Sequence, residues 1–324
     1  MALSDMQVFN QYLMPVMMER FPQAIAKFNA ASNNTIQLLA EGFDGNELQT
    51  SFYNALHGSA RRVDRAATNT SQAGTDLTQS VMNKVKVAGG FGPIVFEPSQ
   101  LTWLRKPTQE GLTVAADQFI EALLADQLNT AIASTAAAIG NVAGLTNDVS
   151  ASGNITQAAI NNGLALLGDR SQAVSALVMT GTTYHRLIGE AITNSNALFE
   201  IGGVAVREGS AFGQGRPIIV TDAPALRVAG TPSDQIVLGL QSGGAVIQDG
   251  NDIITNVETT NGQTRIETSF QADYTFGVGV KGFSWDTTNG GSSPSDADLA
   301  TGTNWDQAVS NIKDCAGVLI RGQE

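Results

Sequence analysis

The sequence predicts an elongated α+β protein. Three stretches carry that prediction: a strand too long for a compact enzyme, a long amphipathic helix, and an extended β excursion that precedes the helix. From Arg265 to Lys281 the chain alternates. Ile266, Thr268, Phe270, Ala272, Tyr274, Phe276, Val278 and Val280 point one way, and Arg265, Glu267, Ser269, Gln271, Asp273, Thr275 and Lys281 the other, because successive side chains leave a strand on opposite faces. At about 3.3 Å per residue the run spans roughly 55 Å, against about 17–20 Å for an ordinary strand. Asn261-Gly262 is a hairpin-turn signal, and Ile253 to Thr259 supplies the paired strand. After Gly282 the apolar positions move to Phe283 and Trp285, which predicts a bulge or a change of neighbour.

The helix starts between Thr108 and Thr113, after Pro107, and ends at Gly140. Leu112, Ala116, Phe119, Ile120, Leu123, Leu124, Leu128, Ile132, Thr135 and Ile139 recur at helical spacing. At 1.5 Å per residue it forms a rod of roughly 40 Å, whose stripe should lie on the sheet containing the long strand. The excursion runs from about Val63 to Leu101. ATNTSQAGTDLTQS is polar, VMNKVKV alternates, AGGFGP reads as a break, and IVFEPSQLTWL returns as an extended leg. Such a two-legged flap has little core of its own and needs a partner to cover it. Lys84 and Lys86 share one face of it, and Arg61, Arg62 and Arg65 sit at its base. Those charges read either as a solvated edge strand or as contacts to an acidic neighbouring surface.

The remaining elements follow in order. Ser4 and Gln7 fit a capping box opening a short helix with Val8, Phe9, Tyr12 and Leu13 on its apolar side. Pro15 and Phe21-Pro22 interrupt it. Met14, Met17 and Met18 suit either core packing or an arm that docks on a neighbouring subunit. From about Asn154 to Pro232 the pattern is α/β. Asn154 caps a helix closed by Gly168; SALVM is a buried strand; TTYHRLIGEAIT is an amphipathic helix; PIIVTDAP holds a second buried strand. QIVLGL, Gly243-Gly244 and AVIQDG read as strand, turn and strand. NWDQAVSNIKD reads as a short helix, and CAGVLI as a closing buried strand.

Composition narrows the function. The 324 residues are 42% hydrophobic and only 15% charged, with a net charge of −12, so a general nucleic-acid binder with a basic stripe is disfavoured. A wall past which DNA slides without sticking remains compatible. Asp5 stands where a signal peptide would be positive, and no window approaches the ~20 apolar residues of a membrane span. The expectation is a soluble protein made in a cytoplasm. One cysteine, Cys315, leaves no intrachain disulfide. His57 and His185 lack a second ligand nearby, and both read as structural. The chain has no G-x-S-x-G elbow and no P-loop. Gly213-Gln214-Gly215 reads as a turn, and DGNDII, short of an oxygen at its fifth position, as a β-turn rather than a calcium loop. No catalytic residue, cofactor or metal site is assigned, and the chain is read as a structural protein rather than an enzyme.

The order of these elements, with the phrases SALVMTGTTYHRLIGE, GRPIIVTDAP, QIVLGLQSGGAVIQDG, FQADYTFGVGVKGFSWD and NWDQAVSNIKDCAGVLI, resembles the major capsid proteins of tailed bacteriophages, the Hong Kong 97-type fold, over residues 45 to 324. The resemblance implies an N-terminal arm and helices over 1–62, an extended loop over 63–101, and a peripheral domain with a spine helix over 102–149 and 236–290. An axial α/β domain would occupy 150–235 and 291–324. It also implies pentamers and hexamers of one chain closing an icosahedral head in the virion, assembled in the host bacterial cytoplasm around double-stranded DNA without sequence-specific binding, and no membrane partner. Arg61, Arg62, Arg65, Lys84 and Lys86 become candidate intersubunit contacts. The start at Met1, with fewer than 60 residues before the loop, favours a separate scaffolding protein; a portal and a decoration protein are the other expected partners. Some relatives crosslink a loop lysine to an asparagine of another subunit, but nothing here identifies the asparagine or a catalytic acid. An encapsulin-type nanocompartment is the alternative on the same fold. A secreted β-rich adhesin is disfavoured by the missing signal sequence and the spine helix.

Overall fold

The computed structural model describes residues 21–39, 45–53, 61–74, 76–96, 109–193, 216–250, 252–261, 264 and 266–324. The expected capping box at Ser4, the methionine cluster, His57, Gly213 to Gly215 and the Gly262 turn position lie outside them. In chain order the elements begin with helix α1 over 21–31, β1 (Ile36–Leu39), β2 (Glu47–Tyr53), β3 (Gln79–Phe96) and helix α2 (Gln109–Gly140). Next come β4 (Thr146–Asp148), α3 (Gln157–Ala165), β5 (Val174–Met179), α4 (Gly181–Thr193), β6 (Ile218–Val220), β7 (Arg227–Val228) and β8 (Asp234–Gln241). The chain closes with β9 (Ala245–Asp249), β10 (Ile254–Thr260), β11 (Glu267–Val280), β12 (Phe283–Trp285), α5 (Thr287–Gly290), α6 (Asp296–Leu299), β13 (Trp305–Gln307) and β14 (Gly317–Gln323).

These strands build two larger sheets and a small ribbon. The first sheet runs β1-β9-β11-β3-β2, with β10 paired to the first half of β11; the second runs β4-β14-β8-β5-β6, with β7 on β8; β12 pairs only with β13. The oversized strand is β11. Its Ala272, Tyr274, Phe276, Val278 and Val280 are buried, whereas Gln271 and Asp273 are exposed. Each large apolar side chain in that row contributes about 1.5–3 kcal/mol by leaving water. A slip of one residue would turn Phe276 and Val278 to the wet face, so the row fixes the register. The hairpin with β10 is present, but Thr260 sits opposite Glu267, so its connection is longer than a two-residue Asn-Gly turn. The expected change of neighbour falls at Gly282. Its φ of +82° suits glycine, and beyond it the chain leaves β9 for β13.

Helix α2 covers the buried face of β11. Phe119 meets Phe91 edge-on at 5.2 Å and Tyr274 at 6.3 Å, and the Tyr274 hydroxyl donates to Asp126 Oδ2 at 2.7 Å. Further along, Ala131, Ile132, Ser134, Thr135, Ala138 and Ile139 are all buried. Here the rod leaves the first sheet and runs past β14 and the turn at Pro224–Leu226, so most of this stretch is buried, with Ala133 and Ala137 half-buried. Its observed 32 residues make it about 48 Å long. The second sheet is a dry slab of Val174, Leu177, Val178, Val237, Leu238, Val318 and Ile320, roofed by Ile160 and Leu164 of α3.

Burial pushes the Asp126 carboxyl above its ordinary value; the Tyr274 hydrogen bond opposes the shift, and the like charge of Asp296 adds to it. A carboxyl whose folded pKa is raised favours the fold below its unfolded pKa of about 4, and that contribution is lost as pH rises through the folded value. Asp126→Asn, which keeps an acceptor for Tyr274, is therefore expected to melt at higher temperature than the parent at pH 7–8. The gain should shrink as pH falls toward 4 in a thermal-melt series.

Several local expectations change. AGGFGP is no break: β3 continues through it, with Ala88 opposite Thr275 and Ile94 opposite Phe270, and absorbs the irregularity as a bulge opposite Phe270 and Ala272. Pro22 lies within α1. The cap of α3 is Thr156, whose hydroxyl accepts from the Ala159 N–H, while Asn154 bridges to Gln323. The strand, turn and strand expected around Gly243-Gly244 are present, and the two strands belong to different sheets. The strand β6 is half-buried at a sheet edge rather than enclosed. In place of a helix, residues 304–314 form β13 and a single 3-10 turn over Ile312–Asp314.

Candidate assembly interface

The flap begins earlier than the excursion read from sequence. Its root is the β2–β3 ribbon, with Glu47 opposite Val85 and Tyr53 opposite Gln79, and β2 is its free edge. Tyr53 and Val81, on one face of the ribbon, are 63% and 45% exposed, and Leu77 beyond it 56%. A two-stranded ribbon with an exposed apolar face is marginal by itself. Past the ribbon, every described residue over 61–74 is exposed and none is in a helix or strand. Arg61, Arg62 and Arg65 are therefore toward the flap's tip, not at its base. Arg61 Nη1 reaches Gln72 Oε1 at 3.4 Å, and the Ala66 N–H donates to Asp64 Oδ1 at 2.9 Å, both contacts within the segment.

Lys84 and Lys86 are placed differently. Since β3 lies between β2 and β11, neither is on an edge strand, and both turn onto their own sheet. Lys84 lays its stem over Gly279, where a Cβ would stand 2.7 Å from its Cγ, and its ammonium donates to Gln248 Oε1 at 3.2 Å. Burial lowers its pKa. Lys86 pairs with Asp252 at 3.2 Å. Asp252 also accepts from the backbone and hydroxyl of Thr275. Burial works against ionisation there, but the hydrogen bonds from Thr275 and Lys86 hold the carboxyl below its ordinary value. Asp252 is thus a brace at the flap's root.

Beside the root stands a compact platform that sequence reading missed. Trp285 and Trp305, both essentially buried, meet at 4.9 Å and 70° across the β12–β13 pair. Their indole N–H groups donate to Gly291 O at 2.9 Å and Leu299 O at 3.0 Å. Asp286 caps α5, and Ser295 with Asp298 closes a capping box on α6. Ser295-x-x-Asp298 was the available signal. The platform touches the flap directly, for the Asn83 N–H donates to Ser284 Oγ at 3.0 Å.

Cys315 is buried, and burial pushes its thiol up to about 11, away from the thiolate a nucleophile requires. His185 is exposed, with its ring against Tyr184. Among the described residues no group of three or more His, Cys, Asp or Glu is gathered to hold a metal ion. No described helix is long and apolar enough to cross a membrane.

A helix-backed sheet with a ribbon thrown beyond it, joined to a second α/β sheet, is the fold of phage capsid proteins. The capsid asymmetric unit of cyanophage Pam1 aligns with a TM-score of 0.55 at 14% identity, covering 89% of this chain and 88% of that one. A structure from Microbacterium phage Oxtober96 aligns at 0.54 with 11% identity, covering 90% of each. One from Mycobacterium phage Adephagia aligns at 0.51 with 15% identity, covering 75% and 81%. At such identities the likeness is one of fold. The chain belongs to the Gp13-like family, described as major capsid protein 13-like, whose sequence model matches residues 5–319. No curated protein matches it.

Proposed function

We propose that this capsid protein assembles as pentamers and hexamers into the icosahedral head of a tailed phage and encloses its double-stranded DNA. The observation that carries the reading is the flap: an exposed ribbon ending in a fully exposed segment with three arginines, on a chain of net charge −12. Such a segment has no work to do in a monomer and suits contact with a neighbour. In this reading Arg61, Arg62 and Arg65 reach another subunit, while Lys84 and Lys86, engaged within the chain, hold the root in place. The pairing of β2 with β3 favours an extended loop over 47–85 rather than 63–101. The first sheet with α2 corresponds to the peripheral domain and the second sheet to the axial domain. The acidic balance suits a wall that repels packaged DNA through screened like charge. A separate scaffolding protein, a portal and a decoration protein complete the proposed partners, with assembly in the host cytoplasm.

Electron microscopy of the chain expressed alone, then with its genomic neighbours, tests this. Icosahedral shells are expected, with packaged DNA or a portal vertex in the second case. Shells filled with a cargo enzyme would favour a nanocompartment instead, and monodisperse monomers under both conditions would overturn the assembly reading.

A further inference from the structure

We infer that the cleft between α4 and the end of the second sheet, where β7, β8 and β14 meet, binds inorganic phosphate or a phosphate monoester. Gln235 and Arg186 form its floor, and Arg227 and Ser233 its mouth.

The floor is made of donors that the fold leaves unmatched. Gln235 is fully buried. Its Oε1 accepts from Thr180 Oγ1 at 2.7 Å, which turns Nε2 the other way, and that nitrogen has no hydrogen-bond partner. Arg186, further along α4, donates from Nη1 to Gln323 O at 3.1 Å. Gln323 stands opposite Asp234, the residue before Gln235, so guanidinium and amide approach the same end of the sheet. Arg186 Nε and Nη2 are buried and also lack a partner. These two nitrogens form the side-on fork that takes two oxygens of one oxyanion. Leaving a buried donor unmatched is unfavourable, and more so when it is charged.

The mouth already holds an oxyanion. Arg227 Nη2 donates to one oxygen of the Glu324 carboxylate and Ser233 Oγ to the other, and Arg227 and Glu324 are exposed. Glu324 acts on the floor only through its field. Burial lowers the pKa of Arg186, and the charges of Glu324 and Glu190 oppose that shift. The Gln235 amide favours the charged form of Glu324 without reaching hydrogen-bond geometry. Glu190 follows Arg186 by four residues on the same helix, the weaker order for such a pair, and the fork stays unmatched. Both oxygens of the tethered carboxylate are thus taken up at the mouth. Matching mouth and floor together requires three or more oxygens on one centre, which phosphate and its monoesters have. A phosphodiester of DNA has two free oxygens and does no better than a carboxylate.

Thermal melting of the full chain with inorganic phosphate, against sodium chloride at equal ionic strength, tests the site. At about a hundredfold above its dissociation constant, phosphate is expected to raise the melting temperature by roughly 5–10 °C, with no shift in chloride. Glu324→Gln removes a competing charge from the mouth at an exposed position. It should tighten phosphate binding, read by calorimetry, by roughly tenfold or more. Arg186→Gln should abolish the phosphate shift. Glycerol phosphate that stabilises as well as inorganic phosphate assigns the site to a monoester, and a smaller shift assigns it to the free ion. A phosphate response absent from both the parent and Glu324→Gln overturns the inference and leaves the floor donors to buried water. So does a response that survives Arg186→Gln, or duplex DNA that stabilises the chain where inorganic phosphate does not.

Discussion

Removing Arg62 to Ser71 is expected to leave a folded chain that closes no shells. Arg61 and Gln72 hydrogen-bond across the base of this segment, so a short glycine link can join them without pulling on β2 or β3. Every residue removed is exposed and none lies in a helix or strand. Surface changes away from caps and cores generally alter stability by about 0.5 kcal/mol or less, so the melting temperature should hold while particles disappear from micrographs. Normal particles from this variant would show that the flap's tip is dispensable. A wider cut from Thr68 to Lys86 would test nothing cleanly. It removes Val85, fully buried in the first sheet, and Lys86, which anchors Asp252, so lost shells would follow from lost folding.

Trp305→Ala is expected to be the most damaging single change to the fold. Its side chain is fully buried, meets Trp285 edge-on at 4.9 Å and donates to the Leu299 carbonyl. Emptying a buried aromatic site costs about 3–5 kcal/mol. At about 2–4 °C per kcal/mol for a large domain, the melting temperature should fall by roughly 6–20 °C. Trp305→Phe separates the contributions, since it keeps a ring against Trp285 but strands the Leu299 carbonyl, a loss of about 1–3 kcal/mol. Equal melting of Trp305→Ala and the parent would mean that the platform is not built on this pair.

Much of the scaffold was legible because long elements repeat their signal. Ala272 to Val280 states its two faces at every second residue, and Phe119, Ile120, Leu123, Ile132 and Ile139 state a helical stripe over many turns. Gly282 was readable as a change of neighbour because the apolar parity flips there. The flap's root was not, since Glu47 to Tyr53 (ELQTSFY) has too little apolar alternation to announce a strand, and its partnership with Gln79 to Val85 is a matter of pairing, not pattern. AGGFGP misled for a related reason. Glycines and a proline mark a turn by local chemistry, but the neighbouring β11 supplies partners that let the chain run straight through as a bulge. The platform was hidden because its order comes from two tryptophans twenty positions apart, joined by one-turn helices too short to show a period. Of the candidate contacts, sequence grouped the arginines and lysines by proximity alone. The structure separates them, because a lysine on an interior strand can lie across Gly279 to a glutamine on the next strand but one, whereas Arg62 and Arg65 are exposed in a segment outside any helix or strand.

The order of strands in the two sheets also has a consequence for synthesis on the ribosome. Tyr274 sits opposite Gly89, Ile36 opposite Ala245, and Leu319 opposite Thr146, so neither sheet can close until nearly the whole chain has emerged. Until then β3, with only β2 available to pair with it, waits with its apolar face and its β11 edge uncovered. Pairings this remote in sequence form slowly and expose sticky intermediates. The yield of native protein is therefore expected to rise with holdase chaperones or with slower translation.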